Sequence, residues 1–417
     1  MNNTARRGNG RLASGALRRV SVVTALFAMF LVPLTQPLCA QGPSYSVVYS
    51  FQCEPDGQWP SRDLIADSAG NLYGTTQNGG TSGGGTVFKV SVDGTETVLH
   101  AFAVQPDGAE PAAGLVMDSA GNLYGTTFYG GARENGTVFE ISSSGDESIL
   151  YSFTGGKDEG KPMASLLLDP EDNLYGTTTG YCCTGYQGTV FRLSPSGKIA
   201  ELHTFAGPPN DGALPFSGLI HDSAGNLYGT TTEGGLYGLG TVFELSKAGT
   251  ETILYNFTGF ADGADPSANL LRDSAGNLYD TAYGGGSTTG ACPLYGCGTV
   301  FKLSPSGEVT GLYSFMGGAD GANPVSDLLM DPKGNLYGTT PAGGSSPSAC
   351  STEDYPGCGV VFELTAAGKE KVLHTFTGFP NDGAFPYGGL VRVGNYLYGT
   401  TNVGGAYNCG TVYRVAP

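Results

Sequence analysis

Apolar and polar residues alternate with a period of two over short stretches of this chain, and Gly, Asn, Asp and Ser interrupt each stretch. The pattern predicts half-buried β-strands joined by tight turns; no stretch carries apolar residues at helical spacing. Residues 113–153 show one complete unit. Ala113–Asp118 is a short apolar strand, Ser-Ala-Gly-Asn a tight turn, Asn122–Thr127 a second strand and Phe128–Asn135 a Gly-rich loop. Gly136–Ser142 alternates as a third strand, Ser-Ser-Gly-Asp turns the chain, and Glu147–Phe153 is the fourth. Four short strands joined in this way are expected of a propeller blade.

The unit recurs. Asn-Leu-Tyr-Gly-Thr-Thr stands at 71–76, 122–127, 173–178, 226–231 and 335–340, is altered at Asn277–Ala282, and reads Tyr-Leu-Tyr-Gly-Thr-Thr at Tyr396–Thr401. The tyrosines at 73, 124, 175, 228, 279, 337 and 398 lie 51, 51, 53, 51, 58 and 61 residues apart, a period that marks tandem repeats. Tyr45–Phe51 is a fourth strand with no blade before it, and Gly410–Val415 a third strand with no fourth after it. The fold expected is therefore an all-β, seven-bladed β-propeller over residues 41–417, with first strands near 62, 113, 164, 217, 268, 326 and 388. The N-terminal strand completes the last blade, because an open array would leave unpaired edges.

The first forty residues differ in kind. Arg6, Arg7, Arg11, Arg18 and Arg19 precede an apolar run from Val20 to Leu34, and Ala40 offers a small residue for cleavage. This is the form of a signal peptide over residues 1–40; the run, broken by Pro33, falls short of the about 20 residues a membrane span takes. Five of the 20 Lys+Arg lie in that segment and none of the 37 Asp+Glu, leaving 15 against 37, a net −22. So acidic a surface repels phosphate backbones and anionic lipid, so neither nucleic acid nor membrane is an expected partner. A monomer without cofactor or metal is expected.

Eight cysteines follow the leader, and an exported chain is expected to pair them. Cys292 with Cys297, and Cys350 with Cys358, each fall within one loop. Cys53 follows the N-terminal strand and Cys409 precedes the C-terminal one, so antiparallel pairing of those strands would set a ring-closing bridge there. Cys182 and Cys183 can bridge each other or pair elsewhere.

The motifs Asn-Leu-Tyr-Gly-Thr-Thr, Gly-Gly, Gly-Thr-Val-Phe, Leu-Tyr-Ser-Phe and Asp-Gly-Ala-x-Pro recur in that order over residues 45–417. In this the chain resembles the bacterial Gloeo/Verruco (GloVer) tandem repeat family. The resemblance implies export and, in relatives, attachment through varied surface anchors. No anchor or sorting signal follows the repeats here, so a soluble secreted or periplasmic form is expected. The resemblance brings no catalytic residues with it.

In a propeller the fourth-to-first and second-to-third connections share one face, the loop face; the two hairpin turns of each blade share the other, the turn face. On the turn face Asp-Ser-Ala-Gly-Asn recurs almost unchanged, which hairpin chemistry explains. On the loop face Asp56, Asp107, Asp158, Asp211, Asp262, Asp320 and Asp382 each stand four residues before a Pro. They read as turn caps, with a cation-binding ring as the rival. The residue before that Pro never repeats: Trp59, Glu110, Lys161, Leu214, Asp265, Asn323, Phe385. A fixed frame with one variable side chain per blade can write a binding surface, and an unconstrained solvated position would look the same.

Tyr387, just past the seventh Pro, is a further ligand candidate, as are the loop tyrosines Tyr295 and Tyr355 with Tyr129, Tyr181, Tyr186, Tyr237 and Tyr407. Each offers an apolar ring face and a hydroxyl, as a sugar would need, although Tyr also packs loops. Asp280 replaces Gly inside a second strand, where a carboxylate must find a donor or face a cavity; it is either a specialised site or drift in one copy. His100, His203 and His374 take the Tyr place of the outermost strand, and His221 stands alone. No nucleophile elbow, metal-binding His pair or phosphate loop is present. The reading is a binding module that recognises a glycan or extracellular protein on its loop face, with binding lost in Trp59→Ala or Phe385→Ala. The alternatives are a polysaccharide lyase or hydrolase using channel carboxylates with Arg272 or Lys161, and a structural surface or matrix protein.

Overall fold

The computed structural model describes residues 44–417 apart from 61, 104, 181–186, 289–290, 293–294, 345–349 and 351–356. The leader, Tyr181, Cys182, Cys183, Tyr186 and Tyr355 lie outside the described residues. Every regular element described is a β-strand.

Seven antiparallel, four-stranded blades follow one another along the chain. Blade 2 is representative: Val116–Met117, Leu123–Thr127, Thr137–Ile141 and Glu147–Ser152 pair in sequence order, with a register shift between the third and fourth strands. Blade 7 takes three strands from the C-terminal end, Val391–Val393, Tyr396–Thr401 and Thr411–Val415. Its fourth is Tyr45–Ser50, which runs antiparallel to Thr411–Val415 with Tyr45 opposite Val415 and Ser50 opposite Thr411. The Cys53–Cys409 disulfide spans this closure, and Cys292–Cys297 and Cys350–Cys358 form within their loops.

What binds blade to blade is legible residue by residue. The Phe ending each fourth strand meets the third-strand aromatic of the next blade edge-on, at 5.0–5.3 Å, from Phe102–Phe139 round to Phe376–Tyr413 and Phe51–Phe88. Such a pair is worth about 0.5–1.5 kcal/mol beyond the area it buries. Gly125 in the second strand leaves that aromatic its place, since a Cβ there would lie 2.5 Å from the Phe139 ring. Gly136, opening the third strand, has φ +90° and leaves room for the ring of Pro162 in the next blade. The same Gly–Pro contact recurs at all seven interfaces, with Gly410 against Pro60 across the closure.

The loop aspartates are turn caps. Asp158 accepts from the Thr154 N–H (2.8 Å) and the Tyr151 hydroxyl (2.9 Å); Asp107 accepts from the Ala103 N–H (3.0 Å) and His100 Nε2 (3.1 Å). His203 and His374 reach Asp211 and Asp382 in the same way. Burial alone would raise Asp107, Asp211 and Asp382, but the bonds from these histidines and from backbone N–H groups hold all three below the usual carboxylate value.

Candidate functional site

Each blade is entered through one frame, x-Pro. All seven residues at x are left-handed, with φ between +55° and +59°, a conformation non-glycine residues adopt at a cost of about 1–3 kcal/mol. Two backbone bonds hold them there. The N–H of x reaches the previous blade, as Lys161 to the Asn135 carbonyl (2.8 Å) and Asn323 to that of Cys297 (2.8 Å). Its carbonyl accepts from its own blade, as Glu110 from Phe128 (3.0 Å) and Phe385 from Asn402 (3.1 Å). The main chain bridges blades, so the side chain is free to vary.

Those side chains meet different fates. Trp59 is 41% exposed, whereas Glu110, Leu214 and Asp265 are half-buried. Burial, and then the charge of Glu233, push Asp265 up to about 6; burial also raises Glu110, against the pull of Lys161. Lys161 is buried, its Nζ donating to the Glu134 carbonyl (2.7 Å) and lying 3.6 Å from the Tyr129 ring centre. Asn323 is buried and donates to the Tyr283 carbonyl (3.1 Å), and Phe385 packs against the core between blades 6 and 7. Tyr295 stands 80% exposed in the Cys292–Cys297 loop.

Past the prolines, the chain turns to the propeller axis. A cavity of about 410 Å³ opens there on the loop face. Ala112, Met163 and Val325 give it an apolar wall; Arg62, Gln77, Ser267, Tyr387 and Asn402 give it polar groups. Of the residues singled out from the sequence, Tyr387 lines this mouth.

Below the mouth, the third residue after each Pro forms a belt: Asp63, Gly114, Ser165, Gly218, Asn269, Asp327, Gly389. Each polar member reaches sideways into the preceding blade. Ser165 Oγ accepts from the Gly114 N–H (3.0 Å), Asn269 Oδ1 from that of Gly218, and Asp63 Oδ1 from that of Gly389 (2.6 Å). Asp327 accepts from both the N–H (2.8 Å) and Nδ2 (2.7 Å) of Asn269. A Cβ on Gly389 would lie 2.8 Å from Asp327 Cβ and 2.9 Å from Asp63 Oδ1, so blade 7 puts nothing between the two acids. Asp63 and Asp327 therefore lie close enough to act on each other electrostatically. Burial raises both carboxyls, and the Asp63 charge raises Asp327 further; bonds from Gly389 and Asn269, and the charge of Arg62, pull the other way.

Asp280 lies behind this pair. It is fully buried opposite Phe301, its Oδ1 accepts from the Thr281 N–H (2.6 Å), and its Oδ2 has no partner. Burial, with the Asp327 charge adding to it, holds it well above the usual carboxylate value. Sequence reading reached Asp280 but missed Arg62, Asp63, Asn269 and Asp327. A signal existed: the column holding Arg62 otherwise reads Ala113, Ala164, Ser217, Ala268, Ser326, Gly388.

A larger cavity, about 520 Å³, opens on the turn face between blades 3 and 4 beside His221, Arg192 and Lys247. Its Asp169 and Asp222 are turn caps, already bonded by Asn173 and Tyr175 and by Asn226 and Tyr228. A similar groove of about 300 Å³ lies between blades 7 and 1, so the gap comes with blade spacing. The axial mouth, where side chains differ blade by blade, is the candidate site.

No curated protein matches this sequence. Virginiamycin B lyase from Staphylococcus aureus is 12% identical with a TM-score of 0.56, over 89% of this chain and 99% of that one. The extracellular domain of a B. thetaiotaomicron protein described as a one-component system is 10% identical with a TM-score of 0.56, over 89% of this chain and 40% of that one. Likeness at this identity shows the propeller fold. The Gloeobacter/Verrucomicrobia repeat matches residues 38–186 and 295–417, the motifs that build and close the ring, and this chain belongs to that family.

Proposed function

We propose that this protein is an exported binding module whose loop face takes a glycan across the axial mouth. The observation behind this reading is where large apolar side chains are exposed. Of ten among the described residues, nine stand in loop-face connections, including Trp59, Tyr129, Tyr237, Tyr295 and Tyr407; Val92 is the one on the turn face. Exposed apolar surface gathered on one face marks an interaction site, and Tyr and Trp offer rigid rings with a polar handle. The three disulfides suit an oxidising compartment.

A second reading rests on Asp63 and Asp327 beneath Arg62, two neighbouring carboxyls that burial raises above the usual carboxylate value, either of which could act as a general acid on a bound sugar. Binding of the leader-free protein to an array of bacterial and plant polysaccharides, with product analysis of the same samples, separates the two. Retained, intact glycan is expected, with binding weakened in Trp59→Ala. Shortened glycan would make the protein an enzyme, and silence across the array would leave a protein partner or a structural role.

A further inference from the structure

The residue two past each Pro is small in six blades and packs between them, as Ala113, Ala164, Ser217, Ala268 and Ser326 do with exposures of 0–2%. Blade 1 alone places Arg there. Arg62 lines the axial mouth, and one guanidinium nitrogen, Nη1, donates to the Ser267 carbonyl of blade 5 at 3.3 Å. In a chain of net charge −17, it is the only charged side chain among the residues lining this cavity. No carboxylate lies within ion-pair distance of it among the described residues. Asp63 and Asp327 sit near enough to feel its charge, yet they spend acceptors on Gly389 and Asn269 rather than on the guanidinium. The guanidinium therefore faces the mouth with most of its five N–H donors unspent.

We propose that Arg62 makes the axial mouth a carboxylate subsite, which takes the acid group of a uronate residue in an acidic polysaccharide. This rests on the loop-face glycan reading above and names the class of sugar. The guanidinium fork matches a carboxylate in two parallel bonds, which an ammonium cannot do. Gln77 and Asn402 place neutral amides in the same mouth, and Tyr387 a phenol, partners for the hydroxyls of the sugar ring. Met163 and Val325 supply the apolar wall for its carbon face. An arriving anion favours protonation of the acids beneath it, Asp63 and Asp327, with Asp280 behind them. Uronate binding therefore tightens as pH falls, over the range in which the uronate stays ionised.

Titration calorimetry of the leader-free protein at low salt tests this with trigalacturonate, the neutral galactose trimer and galacturonate monosaccharide. The acidic trimer is expected to bind at least about tenfold more tightly than the neutral one, a difference of one bidentate contact. Arg62→Gln should erase that preference, Arg62→Lys should keep part of it, and Asp327→Asn should strengthen uronate binding by freeing Arg62 of a negative neighbour. Circular dichroism establishes that each variant is folded, and the lysine variant answers if the glutamine one is not. Equal binding of both trimers, or a preference that survives Arg62→Gln, overturns the subsite while leaving a glycan-binding face intact. Arg62-dependent binding of the monosaccharide without either trimer keeps the subsite and overturns the loop-face reading. A tripeptide whose free C-terminal carboxylate outcompetes galacturonate, and whose amide does not bind, moves the site from sugar to peptide and overturns the uronate assignment.

Discussion

The two faces of this propeller are written by the same repeat and have been fixed in different ways. On the turn face each Asp closes its own hairpin: Asp118 accepts from the N–H groups of Ala120 (2.8 Å) and Asn122 (2.9 Å), from Asn122 Nδ2 (2.8 Å) and from the Tyr124 hydroxyl (3.1 Å). Asp67, Asp169, Asp222, Asp273 and Asp331 repeat that set. The Asp, Asn and Tyr side chains that carry these bonds stay fixed in all six turns, while the residues between Asp and Asn change to Pro-Glu-Asp at 170–172 and Pro-Lys-Gly at 332–334. On the loop face the frame is held by backbone bonds between blades, and the side chains on it are left to differ. Local satisfaction freezes sequence; fixation through the main chain releases it.

Two glycines with nearly the same φ offer the strongest way to break this contrast. Gly136 on the loop face (φ +90°) lies against Pro162 of the next blade, whereas Gly121 on the turn face (φ +86°) has only Ser143 Cβ nearby, at 3.7 Å. Ala at 121 should cost about 1–2 kcal/mol, the left-handed penalty alone. Ala at 136 should cost several kcal/mol more in a denaturant titration, because a collision across the blade interface is added. Equal losses would mean that the interface yields freely.

Next in size is a crossed pair of substitutions. Asp118→Ala should lower stability by about 1–3 kcal/mol through its orphaned donors and leave glycan affinity unchanged. Trp59→Ala should shift stability by less than about 0.5 kcal/mol and weaken binding about tenfold. Calorimetry of unfolding and of binding on both variants would expose any mixing of the two roles.

The smallest effect is one of pH. Burial raises Asp118 and its equivalents, but bonds from Asn and Tyr outweigh it, so the folded value lies below the unfolded one. That stability is present at neutral pH and is lost as pH falls through the carboxylate range. Glu96 and Glu370, which begin fourth strands, behave oppositely: burial, then the charges of loop residues Asp56 and Asp320, push each up to about 7. Their contribution is full below the ordinary Glu value and lost as pH rises toward 7. Tm should therefore peak between about pH 4 and 6, and Glu96→Gln with Glu370→Gln should flatten the falling limb on the alkaline side.

Most of the fold was legible because each blade states its strands in local sequence. The period, the closure, and the Cys53–Cys409 bridge all followed from strand order. Asp280 was legible as well, as a carboxylate where the repeat wants Gly. The axial belt was not. Asp63 and Asp327 lie 264 residues apart and look like ordinary polar residues after a Pro. Only the curvature of seven blades brings them together, with Gly389 standing aside. Arg62 was missed for a different reason: variation drew attention to the column before the Pro, where the side chain hardly affects the frame. The informative column was the nearly invariant one two residues later, in which a single large cation replaces a small residue.

The closure has a consequence in time. Tyr45–Ser50 is the first strand to leave the ribosome and pairs only with Thr411–Val415, the last. Until then it carries an unpaired edge, and the blade it belongs to does not exist. Contacts so distant in sequence are slow to form, and an exposed strand edge invites pairing with other chains. Six blades can stack as they are made, each on the one before, but the circle becomes a circle in one late step. A chain cut short by a single strand would therefore differ from the whole protein in kind, as an open spiral with two sticky ends.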